Sequence, residues 1–150
     1  MRAVVQRSES ASVVVDEVTI GSIESGLVIL LGIEHEDTQD DANWLIRKIQ
    51  NMRIFNDANG VMNESIKDQK REFLVISQFT LHASTKKGNR PSYTRSAAPD
   101  IAEKLYNYFV DELRNQTGLV VETGKFGAMM DVSLTNKGPV TILLDSKNPE

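Results

Sequence analysis

The chain has 150 residues, 40% of them hydrophobic, and 21 acidic against 17 basic side chains give it a formal net charge of -4. That length fits one domain, 1–150, burying about 70% of the surface its unfolded chain would expose, and the charge excludes a protein that coats nucleic acid through a global positive field. Cysteine is absent and His35 and His82 are the only histidines, which excludes disulfides, thiolate chemistry and any site that takes three His ligands from one subunit.

Taken in order, alternation and β-branching predict strands over residues 2–7, 11–15 and 18–20, the last two joined by an Asp16-Glu17 turn and pairing as an antiparallel meander. The glycine-bounded apolar run Gly26–Gly32 reads as a central strand buried on both faces. A helix follows, N-capped by Thr38 with Asp41 in a capping-box relation. Its apolar stripe is Ala42, Leu45, Ile46, Ile49 and Met52, with Arg47, Lys48 and Gln50 on the wet side. No apolar run reaches the roughly 18 residues of a membrane span, and residues 1–7 are too polar for a signal peptide, so a cytoplasmic protein without a membrane partner is expected.

Residues 56–60, Asn-Asp-Ala-Asn-Gly, are turn chemistry, and the polar stretch to Arg71 is expected to hold little beyond a short strand near Val61. Phe73, Leu74, Val75 and Ile76 form another doubly covered strand. A long loop through Gly88, Pro91 and Pro99 precedes a second helix over 100–114, its apolar face made by Ile101, Leu105, Tyr108, Phe109 and Leu113 and its end marked by Gly118. Three strands close the chain, over 119–123, 129–135 and 140–145. Strands grouped before, between and after two main helices give an α+β domain with a largely antiparallel or mixed sheet, or barrel-like sheets.

The chemistry concentrates where the strand from Phe73 turns polar, at Ser77-Gln78-Phe79-Thr80-Leu81-His82-Ala83. If this stretch stays extended, Gln78, Thr80 and His82 share one side and Ser77, Phe79 and Leu81 the other. Thr80 and His82 then have Cα atoms about 6.6 Å apart at roughly 3.3 Å per residue, against the about 2.6 to 3.2 Å that a nucleophile and its base need. The plain alternative is a strand end whose polar groups satisfy a neighbouring loop. Glu34-His35-Glu36-Asp37 reads as a solvated acidic approach that complements the helix dipole rather than a metal site. Lys86-Lys87-Gly88-Asn89-Arg90-Pro91-Ser92, with Tyr93 and Arg95 after it, is either a solvated basic loop or a surface for phosphates and a stacked base. Asn136-Lys137-Gly138-Pro139-Val140-Thr141 is either an ordinary turn or a cis Gly-Pro that aims its carbonyls.

Ser77 to Ala83 and Asn136 to Thr141 together resemble the two signature motifs of the D-aminoacyl-tRNA deacylases. The resemblance extends over Met1-Arg2-Ala3-Val4-Val5-Gln6-Arg7, Ala11-Ser12-Val13, Lys87-Gly88-Asn89-Arg90-Pro91-Ser92 and Thr123-Gly124-Lys125-Phe126-Gly127-Ala128. It implies a cytoplasmic homodimer that hydrolyses D-aminoacyl-tRNA, with no metal or organic cofactor; because exclusion by clash cannot refuse a smaller ligand, hydrolysis of glycine mischarged onto tRNA is expected as well. Ser77, Gln78, Phe79 and Thr80 are then the catalytic pocket, while Gly138 and Pro139, in cis and inserted from the partner subunit, bind substrate with Asn136, Lys87 and Arg90. Backbone N–H groups near Phe79 and Thr80 and the substrate's own 2′-OH would assist attack by water, with Thr80 as covalent nucleophile the competing mechanism. Lys137 stands where the family commonly has Asp and suggests an added phosphate contact; Ser8 stands where an apolar residue is usual. A non-catalytic dimeric tRNA-binding module, and a related editing domain for another aminoacyl ester, are the other classes compatible with these residues.

Overall fold

The computed structural model describes residues 1–149. Its elements run β1 (Arg2–Val15), β2 (Val18–Ile23), β3 (Gly26–Gly32), α1 (Gln39–Asn51), β4 (Phe55–Asn56), β5 (Met62–Glu64), α2 (Ile66–Gln69), β6 (Glu72–Ser77), a 3₁₀ turn (Phe79–His82), α3 (Pro99–Thr117), β7 (Val121–Thr123) and β8 (Asp131–Asp145). The main sheet has the order β2-β1-β3-β6-β7, with β8 on the other edge of β1; β4 and β5 form a separate ribbon. The β3-β6 and β6-β7 pairs are parallel and the remaining pairs antiparallel. The sheet is therefore mixed, and it curls until β2 meets β7, Gly21 lying against the Thr123 carbonyl.

The two doubly covered strands are borne out residue by residue. On β3, Leu27, Ile29 and Leu31 face the helices while Val28 faces the inside of the curl; on β6, Phe73 and Val75 face the helices while Leu74 and Ile76 face inward. The larger cluster packs α1 and α3 on the sheet through Leu45, Ile46, Ile49, Leu105, Phe109 and Leu113, and the smaller joins Ala11, Val13 and Ile23 to the inner face. Phe73 and Phe109 are fully buried, and truncating either would cost about 3–5 kcal/mol.

Several expectations are corrected. The predicted strands 2–7 and 11–15 are one strand, as are 129–135 and 140–145, because β1 and β8 pair along almost their whole lengths and absorb their irregularities as register shifts. β2 continues to Ile23, and residues 66–69 form a short helix that begins at Ser65, whose hydroxyl accepts from Asp68 N (3.3 Å). Gln50 is buried, donating to Gln116 Oε1 (2.9 Å), and is not on the wet side. On α3 the buried face is Ala102, Leu105, Tyr106, Phe109, Val110 and Leu113, while Ile101 is exposed. Thr38 does start α1, its N–H donating to Asp41 Oδ2 (2.9 Å), and Gly118 ends α3 in the left-handed conformation.

Candidate functional site

Ser77 is the last residue of β6, paired with Leu31 of β3, and Gln78 N donates to Leu31 O (2.8 Å). Beyond it the chain does not stay extended: Phe79–His82 is a 3₁₀ turn, so the expected alternation of faces and the separation derived from it do not apply. Gly32 explains the departure. A Cβ there would lie 2.9 Å from Leu81 Cβ and 3.0 Å from Gln78 O, so only glycine lets the turn close down on the end of β3.

Within the turn, Gln78 Nε2 donates to Thr80 Oγ1 (2.5 Å), and the N–H groups of Phe79 and Thr80 have no acceptor among the described residues. Phe79 is 57% exposed, an unusual position for a large apolar ring, and Tyr93 meets it edge-on at 5.1 Å. Ser96 Oγ donates to the Phe79 carbonyl (3.0 Å), which ties the loop after the turn to its first residue. That loop is pinched by reciprocal Ser84–Ser92 backbone bonds, and Lys86, Lys87 and Arg90 are exposed at its outer end.

His82 points the other way. It is 1% exposed, neither ring nitrogen has a partner in good hydrogen-bond geometry among the described residues, and its Nδ1 is 3.8 Å from Glu34 Oε2. Burial holds its pKa below the ordinary 6.5, against the smaller upward pull of the Gly32 carbonyl and Glu34. Glu34 binds Arg95 (2.7 Å); burial would raise its pKa, but the Arg95 hydrogen bond and charge outweigh that and lower it. The acidic segment is consequently not simply solvated: the Asp37 side chain is fully buried, accepting from Glu34 N (2.8 Å) and from the Met1 ammonium (2.5 Å).

The second motif is an excursion inside β8. Gln6 pairs with Thr141 and Ser8 with Asn136, so Arg7 alone stands opposite residues 137–140. Gly138 and Pro139 are exposed at its tip and joined by a cis bond. Asn136 holds the base from within: its Oδ1 accepts from Val140 N (3.0 Å) and its Nδ2 donates to Thr141 Oγ1 (3.0 Å). Lys137 pairs with Glu9 (2.5 Å), which engages the ammonium that a phosphate contact would need.

Arg7 was not among the expected site residues. Its Nε donates to Lys137 O (3.0 Å) and its Nη1 to Ile54 O (2.7 Å) and Asn56 Oδ1 (3.3 Å), while a Cβ on Gly138 would lie 2.7 Å from its Nη2. The signal for it was available: Ala3 and Val5 are buried on one face of β1, and Arg7 puts a charge at the next position of that parity. Gly32 and Ser96 were likewise missed, since neither close backbone approach nor a bond across the loop has a sequence signature.

The two motifs do not meet within one chain. Arg2 Nη1 donates to Leu81 O (3.0 Å) in the 3₁₀ turn, whereas Arg7 holds the Gly138-Pro139 excursion. Arg2 and Arg7 lie about 16 Å apart along the strand at roughly 3.3 Å per residue.

A model of the family described as D-Tyr-tRNA(Tyr) deacylase matches residues 4–145. The chain is 57% identical to a D-aminoacyl-tRNA deacylase of Phocaeicola vulgatus over 150 residues, covering 100% of both. It is 57% identical to one of Bacillus cytotoxicus, over 98% of this chain and 100% of that one. Among solved structures, a c-Myc DNA Unwinding Element Binding Protein is similar at TM-score 0.91 and 43% identity, over 97% of this chain and 98% of the other. A probable eukaryotic D-amino acid tRNA deacylase, at TM-score 0.80 and 16% identity over 95% and 97%, shares the fold.

Proposed function

Because the chain belongs to the D-Tyr-tRNA(Tyr) deacylase family, we propose that it proofreads chirality at sites built from two copies, the 3₁₀ turn of one facing the Gly138-Pro139 tip of the other. The coarser activity follows from membership: the chain is a hydrolase that acts on the ester bond of D-aminoacyl-tRNA. The observation that carries the finer reading is the separation of the two motifs along β1. A pocket using both therefore needs a second subunit in a cytoplasmic homodimer.

In that pocket water attacks the ester carbonyl carbon, the carbonyl oxygen becomes an oxyanion, and the bond to the terminal ribose oxygen breaks to release the amino acid and tRNA. The N–H groups of Phe79 and Thr80, without acceptors among the described residues, suit the oxyanion. Thr80 Oγ1 accepts a bond from Gln78 and no side-chain base lies within hydrogen-bond reach of it among the described residues, which favours positioning over nucleophilic attack, with the substrate's 2′-OH assisting. Ser77 and Gln78 set the turn against β3. Phe79 offers a ring to the terminal adenosine, and Lys87 and Arg90 meet acceptor-end phosphates. Across the interface the Gly138 and Pro139 carbonyls take the substrate's amino group and leave no room for an L side chain, while Asn136 keeps their loop in shape.

Glycine has no side chain to exclude, and a pocket that rejects by clash cannot refuse a smaller ligand, so glycyl-tRNA is also cleaved. Hydrolysis of D-, L- and glycyl-tRNA by the purified protein tests the substrate range: D and glycyl turnover far faster than a slow, measurable L turnover is expected, and inertness toward glycyl-tRNA overturns the exclusion model. Binding of tRNA without any turnover would mark a non-catalytic module, and preferred turnover of another ester a different editing domain. Co-expressing Gly32→Val and Gly138→Val chains, each inactive alone, tests the shared site. Random pairing gives half mixed dimers with one intact site each, so about a quarter of wild-type activity should return; no recovery excludes cross-subunit sites.

A further inference from the structure

Residues 7–9 of β1 face the excursion in β8 as three consecutive contacts, and two of the residues involved, Ser8 and Lys137, are those at which the sequence departs from the resembled pattern. Between the pairs Ser8↔Asn136 and Ala11↔Leu134, Glu9 and Ser10 stand opposite Thr135 alone, so β1 carries its own bulge beside the excursion. Ser8 holds that bulge. It is 1% exposed, and its single hydroxyl proton is donated to Ser10 O (2.7 Å), with Thr135 O the alternative acceptor at 3.2 Å, a bond that an apolar side chain could not make. The extra residue turns Glu9 outward at the level of Lys137, and Glu9 Oε1 meets Lys137 Nζ at 2.5 Å.

Lys137 is thereby gripped at both ends, its carbonyl by Arg7 Nε and its ammonium by Glu9. It immediately precedes Gly138. On the far side of the tip Val140 is fixed by Asn136. We infer that Glu9 and Lys137 form a clasp that positions the Gly138-Pro139 tip and sets how strictly this protein discriminates D from L substrates. The inference rests on the reading above that the tip faces the aminoacyl group.

The physical reason is a contrast of sensitivities. Both partners are more than half exposed, so the pair adds little to folding stability. Geometry at the tip matters far more, because a displacement of about 1 Å beside a reacting group changes a rate by roughly 100-fold. Loosening the clasp should leave the fold intact and blur the exclusion of an L side chain. Because the pair is exposed, salt should do the same: the Debye length falls to about 3 Å at 1 M.

The experiment measures kcat/KM for matched D- and L-aminoacyl-tRNA, together with Tm, for the wild type, Glu9→Gln, Lys137→Gln and the swapped double variant Glu9→Lys/Lys137→Glu. The D-to-L ratio should fall about 10-fold in each single variant with Tm nearly unchanged, and return in the swap, because a small tip displacement is expected and the swap restores only the charge pair. At 1 M salt the wild-type ratio should approach that of the single variants, the shared tRNA cancelling any effect of salt on its binding. Failure of the wild type to cleave D-aminoacyl-tRNA would refute the underlying functional reading. Normal wild-type cleavage with single-variant ratios within twofold of it would refute the clasp alone, as would a swap that does not restore the ratio.

Discussion

The 3₁₀ turn at Phe79–His82 and the excursion at residues 137–140 both interrupt strands, yet they are held by different physics. The turn is anchored from beneath: β6 is buried on both faces, His82 is sealed in the interior, and the glycine at the end of β3 admits Leu81 at contact distance. The excursion has an exposed tip, and its geometry comes from polar side chains at its base, Arg7, Ser8, Glu9 and Asn136. On the proposed reading, a site assembled from one of each would have a rigid floor that exposes N–H groups and an adjustable wall that sorts substrates. Changes at the floor should therefore reduce turnover, and changes at the wall that loosen the tip without blocking it, as a side chain on Gly138 would, should alter selectivity.

The largest effect should come from adding a methyl group under the floor. Gly32→Ala forces the turn off β3, and kcat/KM for D-aminoacyl-tRNA is expected to fall roughly 100-fold, as for an ångström-scale misplacement at the reacting centre. Activity within a few-fold of wild type would mean that the turn is not the floor. Next is Arg7→Lys, which keeps the charge but loses the planar fork that serves Lys137 O, Ile54 O and Asn56 Oδ1 at once. A loss of about 10-fold in the D-to-L ratio, larger than the loss in D turnover, is expected for a wall residue; an equal loss of both rates would erase the distinction between floor and wall.

The smallest effect concerns His82. Its folded pKa is depressed by burial, so the unfolded chain takes up the proton first as pH falls below the ordinary 6.5. Stability is thus present above pH 6.5 and declines below it until the folded imidazole also protonates, by at most about 1.4 kcal/mol per pH unit for one proton. Urea unfolding between pH 6.5 and about pH 5 should show this slope in the wild type and less of it in His82→Gln. Equal slopes would show that the floor's histidine is not held neutral.

Much of this was legible in the chain. Continuous apolar runs marked β3 and β6, helical spacing marked α1 and α3, and Gly118 marked where α3 stops. The runs at Ser77 to Ala83 and Asn136 to Thr141 drew attention because polar residues appeared at the end of a buried strand and a Gly-Pro appeared between two others. Where the reading failed, the cause was non-local. Gln50 is polar and sits on the helix where polarity reads as solvent, but Gln116 of α3 comes to meet it. Residues 79–82 carry no turn residue and read as strand, but the backbone is bent by what Gly32, far away in sequence, allows.

Residue types and their order determined the main helices, the buried strands and the two chemical motifs, because burial patterns and backbone preferences act over a few residues at a time. Pairing decided the rest. Only the register of β1 against β8 puts Arg7 opposite the Gly138-Pro139 excursion and Glu9 beside Lys137, while Arg2 at the other end of the same strand reaches the 3₁₀ turn. One strand thereby holds both motifs and keeps them apart, since an extended backbone advances about 3.3 Å per residue.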